Sequence, residues 1–367
     1  MKQPLNIVFF GSSLVSSYWN GAATYYRGII RALASHGHRI TFYEPDAFER
    51  QQNRDIDDPS WARVVVYQPH NPDEVRALVR QAAGADLVVK ASGVGVNDAL
   101  LEEEVLALQS SDTKVVFWDV DAPATLERLY ADANDPFRAL IPRYDMILTY
   151  GGGDPVKDAY KAFGAKRCEP IYNALDPDTH HPVAAVPRFQ GDLAFLGNRL
   201  PDRERRVEQF FLSVAEALPE MQFLLGGSGW GDKPLSRNVN YLGHVPTADH
   251  NAFNCSPKAV LNISRDSMVR FGFSPATRVF EAAGAAACII TDAWEGIELF
   301  LTPGTEVLVA NDHLEVIEHL RALTPERAEA IGQAARKRIL ANHTYENRGL
   351  QLERLLTSRE TLATASI

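Results

Sequence analysis

Short apolar runs recur along the first half of the chain at Ile7–Phe10, Arg39–Tyr43, Val64–Tyr67, Leu87–Lys90, Val115–Trp118 and Met146–Thr149. Between them, Gly21–His36, Asp73–Ala83, Asn97–Leu108 and Asp154–Phe163 carry apolar residues at helical spacing. Alternation of this kind calls for a parallel sheet with right-handed helical crossovers. A second series follows, with runs at Leu193–Leu196, Gln222–Leu225, Val239–Leu242, Ala259–Ile263, Cys288–Thr291 and Val307–Val309, and helical patterns such as Arg203–Leu218 and Asp312–Leu323. The stretch Asp176–Gln190 separates the two series; it holds Pro177, Pro182 and Pro187 and has no periodicity, which marks a linker. The pattern therefore predicts an α/β protein with a first domain over 1–175, a linker over 176–190 and a second domain over 191–343. A terminal helix over 344–358 and a frayed tail over 359–367 complete the reading.

The segment from Ser274 to Asp292 reads as a capped helix running into a buried strand. Ser274 suits the N-cap and Pro275 the first helical position. The free N–H groups at such a helix start, together with the positive end of the dipole, favour a diphosphate. Thr277 lies at this start, and Glu281 lies further along, at a distance suited to a ribose. Arg278 sits three residues before Glu281, a spacing that also fits a simple helix ion pair. Ala282, Ala283, Ala285 and Ala286 let the helix lie close on a sheet.

Four blocks in this half, Arg278-Val-Phe-Glu281-Ala-Ala-Gly284, Ile290-Thr-Asp292, Pro303-Gly304-Thr-Glu306 and His343-Thr-Tyr345 with Arg348, resemble the C-terminal half of spore-maturation CgeB-like glycosyltransferases. Gly11-Ser-Ser13, Asn20-Gly21-Ala-Ala-Thr24-Tyr-Tyr-Arg27, Glu44-Pro-Asp46, Asp119-Val-Asp121-Ala-Pro123 and Leu148-Thr-Tyr150-Gly-Gly-Gly153 resemble the N-terminal half of the same family. The resemblance implies a GT-B architecture, two Rossmann-like domains facing a cleft, with a nucleotide-diphosphate sugar on the C-terminal domain and an acceptor on the N-terminal one. It also implies that the last helix crosses back to the N-terminal domain, with Tyr345–Leu356 as that helix; packing on its own domain is the alternative. Retaining enzymes of the wider fold often carry a glutamate eight positions before the ribose-binding one, and here that position is Phe273.

Ligands of open α/β sheets bind at the carboxyl ends of strands, which selects the remaining candidates. On the acceptor side these are Gly11, Ser12, Ser13, Asn20 and Gly21 in the first loop, and Tyr150 and Gly151 after a later strand. Asp119 and Asp121 follow the run Val115–Trp118, where one is positioned as a general base; capping of the next helix is the competing role. Gly197 and Arg199 follow Leu193–Leu196, and Arg265 follows Ala259–Ile263, so both arginines can meet a donor diphosphate. Arg203 and Arg206 are expected to face solvent or pair with Glu204 and Glu208. Neither Gly93-Val-Gly95 nor Gly227-Ser-Gly229 completes a dinucleotide fingerprint, since Asp98 and Asp232 stand where the third glycine belongs.

A formal charge of −10 with no basic run argues against nucleic acid as a partner. Cys168, Cys255 and Cys288 are widely spaced and lack metal-ligand spacing, which predicts reduced thiols in a cytoplasmic protein and no metal site. No apolar stretch approaches membrane-spanning length, and the N-terminal run is too short for a signal segment. The expected partners are thus a nucleotide sugar and an unidentified acceptor, which is a glycan, lipid-linked compound, small molecule or protein, with no further cofactor. A nucleotide-sugar epimerase or phosphorylase, and a catalytically silent nucleotide-sugar-binding protein, are the alternatives.

Overall fold

The structure is a computed structural model that describes residues 3–18 and 20–357; the tail expected to fray lies outside the described residues. Its strands are β1 (Asn6–Phe10), β2 (Arg39–Pro45), β3 (Arg63–Tyr67), β4 (Leu87–Ala91), β5 (Lys114–Asp119), β6 (Met146–Thr149), β7 (Cys168–Pro170), β8 (Leu193–Leu196), β9 (Phe223–Gly226), β10 (Val239–Gly243), β11 (Ala259–Asn262), β12 (Ile289–Asp292) and β13 (Leu308–Ala310). They form a seven-stranded sheet, β3-β2-β1-β4-β5-β6-β7, and a six-stranded sheet, β10-β9-β8-β11-β12-β13. The pairs β1–β2, β1–β4, β8–β9 and β11–β12 are all parallel. In each sheet the strand order reverses direction beside the first strand of the series, as in doubly wound nucleotide-binding folds.

The helices are α1 (Ala23–Ser35), α2 (Pro72–Arg80), α3 (Asp98–Glu104), α4 (Ala122–Ala131), α5 (Phe137–Leu140), α6 (Gly153–Ala162), α7 (Glu204–Val207), α8 (Ser213–Ala217), α9 (His250–Cys255), α10 (Asp266–Phe271), α11 (Thr277–Gly284), α12 (His313–Ala322), α13 (Pro325–Asn342) and α14 (Tyr345–Thr357). The expected single helix over Arg203–Leu218 is realised as α7 and α8 joined by a π-helical turn at Glu208–Leu212. Apart from the edge strands β3 and β10, which are largely half-buried, most strands are apolar because they are covered on both faces. In β4 every residue is buried, including Lys90, whose Nζ is satisfied by Asp98 Oδ1 and the Ala91 carbonyl, each at 2.7 Å.

By compactness the chain divides into a first unit, 1–120 with 136–148 and 345–367, and a second unit, 121–135 with 149–344. The split has local causes. Helix α4 packs on α10 and α6, and the glycines at 151–153 lie against Phe273 and Ser274, so these segments group with the second unit.

Helix α14 groups with the first unit and packs on α1. The Tyr345 ring lies over Gly28, where an added Cβ would collide with it, and Gly349 meets Ala32. At the other end of α1, His36 Nδ1 lies 2.5 Å from Glu353 Oε1 and His36 Nε2 lies 2.6 Å from Glu346 Oε1. Burial lowers the His36 pKa, but the bonds to Glu346 and Glu353 outweigh it and the net shift is upward from 6.5. A histidine raised on folding stabilises fully below its unfolded pKa, and the contribution is lost as pH rises through the folded value. Thermal melts of wild type and His36→Gln between pH 5.5 and 9 are therefore expected to differ most at the acid end and to converge on the alkaline side. A gap that is constant with pH would remove the imidazolium from this contact.

Candidate donor-binding site

Helix α11 begins at Thr277, with Ala276 as its N-cap, in extended conformation and with no side-chain cap bond. Ser274 therefore does not cap it; its hydroxyl donates to the Gly272 carbonyl at 2.8 Å. The cause is a sharp turn just upstream, where Gly272 has φ 66° and Phe273 φ 47°. That turn is clamped from outside: Phe273 N donates to the Glu295 carbonyl at 2.6 Å, and Gly152 N donates to the Phe273 carbonyl at 2.8 Å. Gly153, itself at φ 50°, leaves room for the Phe273 ring, which an added Cβ would meet at 2.5 Å. Tyr150 and Gly151 thus belong to the second unit beside the start of α11, not with the first loop. The Tyr150 hydroxyl lies 3.4 Å from Thr277 Oγ1, and burial pushes its pKa up to about 12 against the lowering effect of that contact.

Arg278, in the first turn of the helix, and Arg265 both lie within the electrostatic reach of Arg203, and the three arginines are each in a different condition. Arg265 is the N-cap of α10, and its Nε donates to Asp202 at 2.6 Å. Arg278 makes no ion pair with Glu281; burial lowers its pKa and the Glu281 charge only partly restores it. Arg203 lies over the Phe195 ring, 5.6 Å from its centre, and an added Cβ at Gly197 would come within 2.7 Å of its Nη2. Burial lowers the Arg203 pKa to about 10, and the positive fields of Arg278 and Arg265 add to this. Its Nε is buried without a partner, while Nη2 donates to the Asn198 carbonyl at 2.6 Å. Like charges held together in this way are relieved by an anion.

Arg199 is different, because Glu204 and Asp232 take its guanidinium at 2.8 Å each and so neutralise it at the surface. Arg206 does not face solvent either; it reaches across to the fully buried Asp292 at 2.7 and 3.1 Å. Glu281 lies 3.5 Å from His180 Nε2. The His180 ring is buried, and its Nδ1 has no partner. His250 also lies within the field of Glu281, and burial lowers its pKa. Neither histidine follows a strand or belongs to a motif, which is why sequence reasoning did not find them.

In the first loop the side chains hold the loop itself. Ser12 Oγ donates to Asn20 Oδ1 at 2.9 Å, Asn20 Nδ2 donates to the Ser13 and Ser16 carbonyls, and Ser13 Oγ donates to Glu44 at 3.1 Å. Gly11 lies flat against Phe42, and Gly21 is exposed with open space around it. Asp119, at the end of β5, is fully buried and accepts from Ser92 Oγ at 2.8 Å; that hydroxyl oxygen in turn accepts from Val120 N. Asp121 is exposed at the N-cap position of α4 and makes no side-chain cap bond. A recess of about 640 Å³ opens at the carboxyl ends of β2, β3 and β4, among Asp46, Phe48, Gln52, Gln68, His70 and Asn97. Phe48 is 51% exposed there.

Two doubly wound parallel sheets and a terminal helix that returns to the first unit define the GT-B fold. Sucrose-phosphate synthase from Thermosynechococcus elongatus shares this fold at 15% identity and TM-score 0.68, over 95% of this chain and 98% of that one. Anabaena HepE, solved in complex with UDP and glucose, aligns at 13% identity and TM-score 0.66, over 97% of this chain and 100% of its own. The T4 phage BGT in complex with UDP-glucose aligns at 12% identity and TM-score 0.59, over 97% and 100% of the two chains. Residues 203–354 match the family described as glycosyl transferase-like. No curated protein matches the chain.

Proposed function

We propose that this protein is a glycosyltransferase that moves a sugar from a nucleoside-diphosphate donor to an acceptor hydroxyl, with a CgeB-like relationship within the wider fold. The observation that carries this reading is the start of α11, which has no side-chain cap and has Arg278 in its first turn, with Arg203 in the fields of Arg278 and Arg265. Free N–H groups and guanidinium forks both recognise a diphosphate. The acceptor oxygen attacks the anomeric carbon as the bond to the diphosphate oxygen breaks. The arginines and the helix start then stabilise the charge gathered on the leaving group, the kind of fixed electrostatics that contributes most to such reactions. Glu281, one turn into the helix, accepts from the ribose hydroxyls, and His180 Nδ1 is a further polar group available beside it. Asp121 serves as general base. The Asp46, Gln52, Gln68 and Asn97 groups around the half-exposed Phe48 suit a hydroxyl-rich acceptor.

A thermal-shift screen of nucleotide sugars tests the reading, since a ligand at a hundred times its Kd stabilises by about 2.7 kcal/mol. Glu281→Gln is expected to weaken nucleoside-diphosphate binding by roughly 1–3 kcal/mol in calorimetry while the melting temperature of the free protein is kept. Unchanged affinity would take Glu281 out of the donor site.

We also infer that the reaction needs no divalent metal, because positive charge for the leaving diphosphate is already supplied by side chains and the helix start. Full activity after exhaustive chelation is the expected result, measured as nucleoside-diphosphate release. Loss that magnesium or manganese restores would overturn it.

A further inference from the structure

A second basic site lies at the opposite, amino-terminal ends of the strands of the first unit. Arg39 opens β2 and Arg63 opens β3. Arg63 is in register with Thr41, two residues on from Arg39, so both guanidinium stems leave the same face of the sheet. With Arg31 of α1, His38, Ser60 and Trp61 they line a recess of about 490 Å³.

The elements that build this recess supply almost no negative charge. Helix α1 and strand β3 contain no acidic residue. The acidic residue of β2, Glu44, is fully buried towards the far end of its strand, where Ser13, the Leu14 amide and Gln51 hold it. Glu353, which reaches the His38 ring, is also engaged by His36. His38 Nδ1 accepts from the Leu5 amide at 3.0 Å, so that ring is fixed on both sides. Asp58, just upstream of Ser60, pairs with Arg54 at 3.0 Å. Among the described residues, Arg39 and Arg63 are thus left without a carboxylate, in a chain whose formal charge is −10. Guanidinium groups gathered in a concave site, with an indole beside them, match the geometry and charge of a phosphate group.

We propose that this recess binds a phosphate group, carried either by a soluble phosphate monoester or by an anionic lipid headgroup. It lies at the end of the sheet opposite the loops Gly11–Asn20 and Ala91–Asn97, so the bound phosphate anchors or regulates the protein and takes no part in the transfer. The inference is independent of the reading of α11.

The full chain and the double variant Arg39→Gln/Arg63→Gln distinguish the sources. Calorimetry with glycerol 3-phosphate reports the soluble arm, and cosedimentation with phosphatidylcholine vesicles containing about a third phosphatidylglycerol reports the lipid arm. The wild type is expected to bind in at least one arm. The double variant should lose roughly tenfold or more in that arm, on the scale of two arginines at an anionic surface, with binding that weakens as salt rises. Its nucleoside-diphosphate affinity should stay the same, which separates this site from the one at α11. Arg63→Gln alone, on the exposed edge strand, should show a smaller loss in the same arm and guards against misfolding of the double variant. Absence of wild-type binding in both arms, or equal binding by wild type and a folded variant, overturns the proposal.

Discussion

Asp121→Asn is expected to lower kcat by roughly 10²- to 10⁴-fold while leaving nucleoside-diphosphate affinity within about twofold of wild type. Two neighbouring carboxylates are separated here by their surroundings. Asp119 is fully buried, and through Ser92 Oγ it fixes the end of β5 against the residue after β4. A group in that position is held by the protein and is not presented to an acceptor. Asp121 is exposed, heads α4 without a side-chain cap bond, and its helix packs on α10, whose N-cap is Arg265. It therefore stands in the same compact unit as the arginines assigned to the diphosphate. The amide oxygen introduced by Asp119→Asn could still accept from Ser92, so that variant is expected to alter stability more than the chemical step. Turnover is followed as nucleoside-diphosphate release from the donor selected by the thermal-shift screen. Near-normal turnover in Asp121→Asn would end its assignment as the base, and a folded Asp119→Asn protein with the large loss would transfer the role.

The strands were legible in the sequence because buried parallel strands are short apolar runs, and tertiary context has little room to override such a pattern. Most observed boundaries fall within a residue or two of the expected ones. Strand β7, Cys168–Pro170, was not expected: it is brief, lies at a sheet edge and ends in a proline that cannot donate to a ladder. Ser274-Pro275 carried a convincing helix-start signal, yet the helix begins at Thr277. What displaces it is the left-handed backbone at Gly272 and Phe273, kept in place by Glu295 and Gly152, residues remote in sequence. Local capping preferences cannot register such a clamp. The grouping of Tyr150 and Gly151 with α11 escaped prediction for the same reason, since a run of three glycines says that backbone approaches something but not what. Arginine roles were the least legible. Arg199, with its motif-like position after β8, is neutralised by Glu204 and Asp232, whereas Arg203, expected to face solvent or pair with a glutamate, is half-buried within the fields of Arg278 and Arg265.

Arg206 is the clearest case of a long-range partner, and it carries the largest expected effect on stability. Its guanidinium reaches Asp292, 86 residues away, and Asp292 has no exposed surface. Burial raises the Asp292 pKa, opposed by Arg206 and by bonds from the Ser264 amide and hydroxyl. Removing one member of a buried pair leaves the other charge uncompensated, typically a loss of roughly 3–5 kcal/mol; the remaining bonds place Arg206→Met at about 3 kcal/mol at pH 7. The pH dependence follows from the direction of the shift. A carboxyl group whose pKa is raised on folding binds more protons folded than unfolded at intermediate pH, so stability improves as pH falls through the folded pKa. Without Arg206 that pKa moves higher still, so the deficit of the variant should shrink on acidification from pH 7.5 to 5.5. Adding Asp292→Asn to Arg206→Met should recover part of the loss, because no buried charge then lacks its partner. Hydrogen exchange at the amides of β11 and β12, corrected for intrinsic rates, reads these free energies locally. A deficit under about 0.5 kcal/mol, or one that is the same at both pH values, would mean that the pair contributes no more than a surface ion pair does.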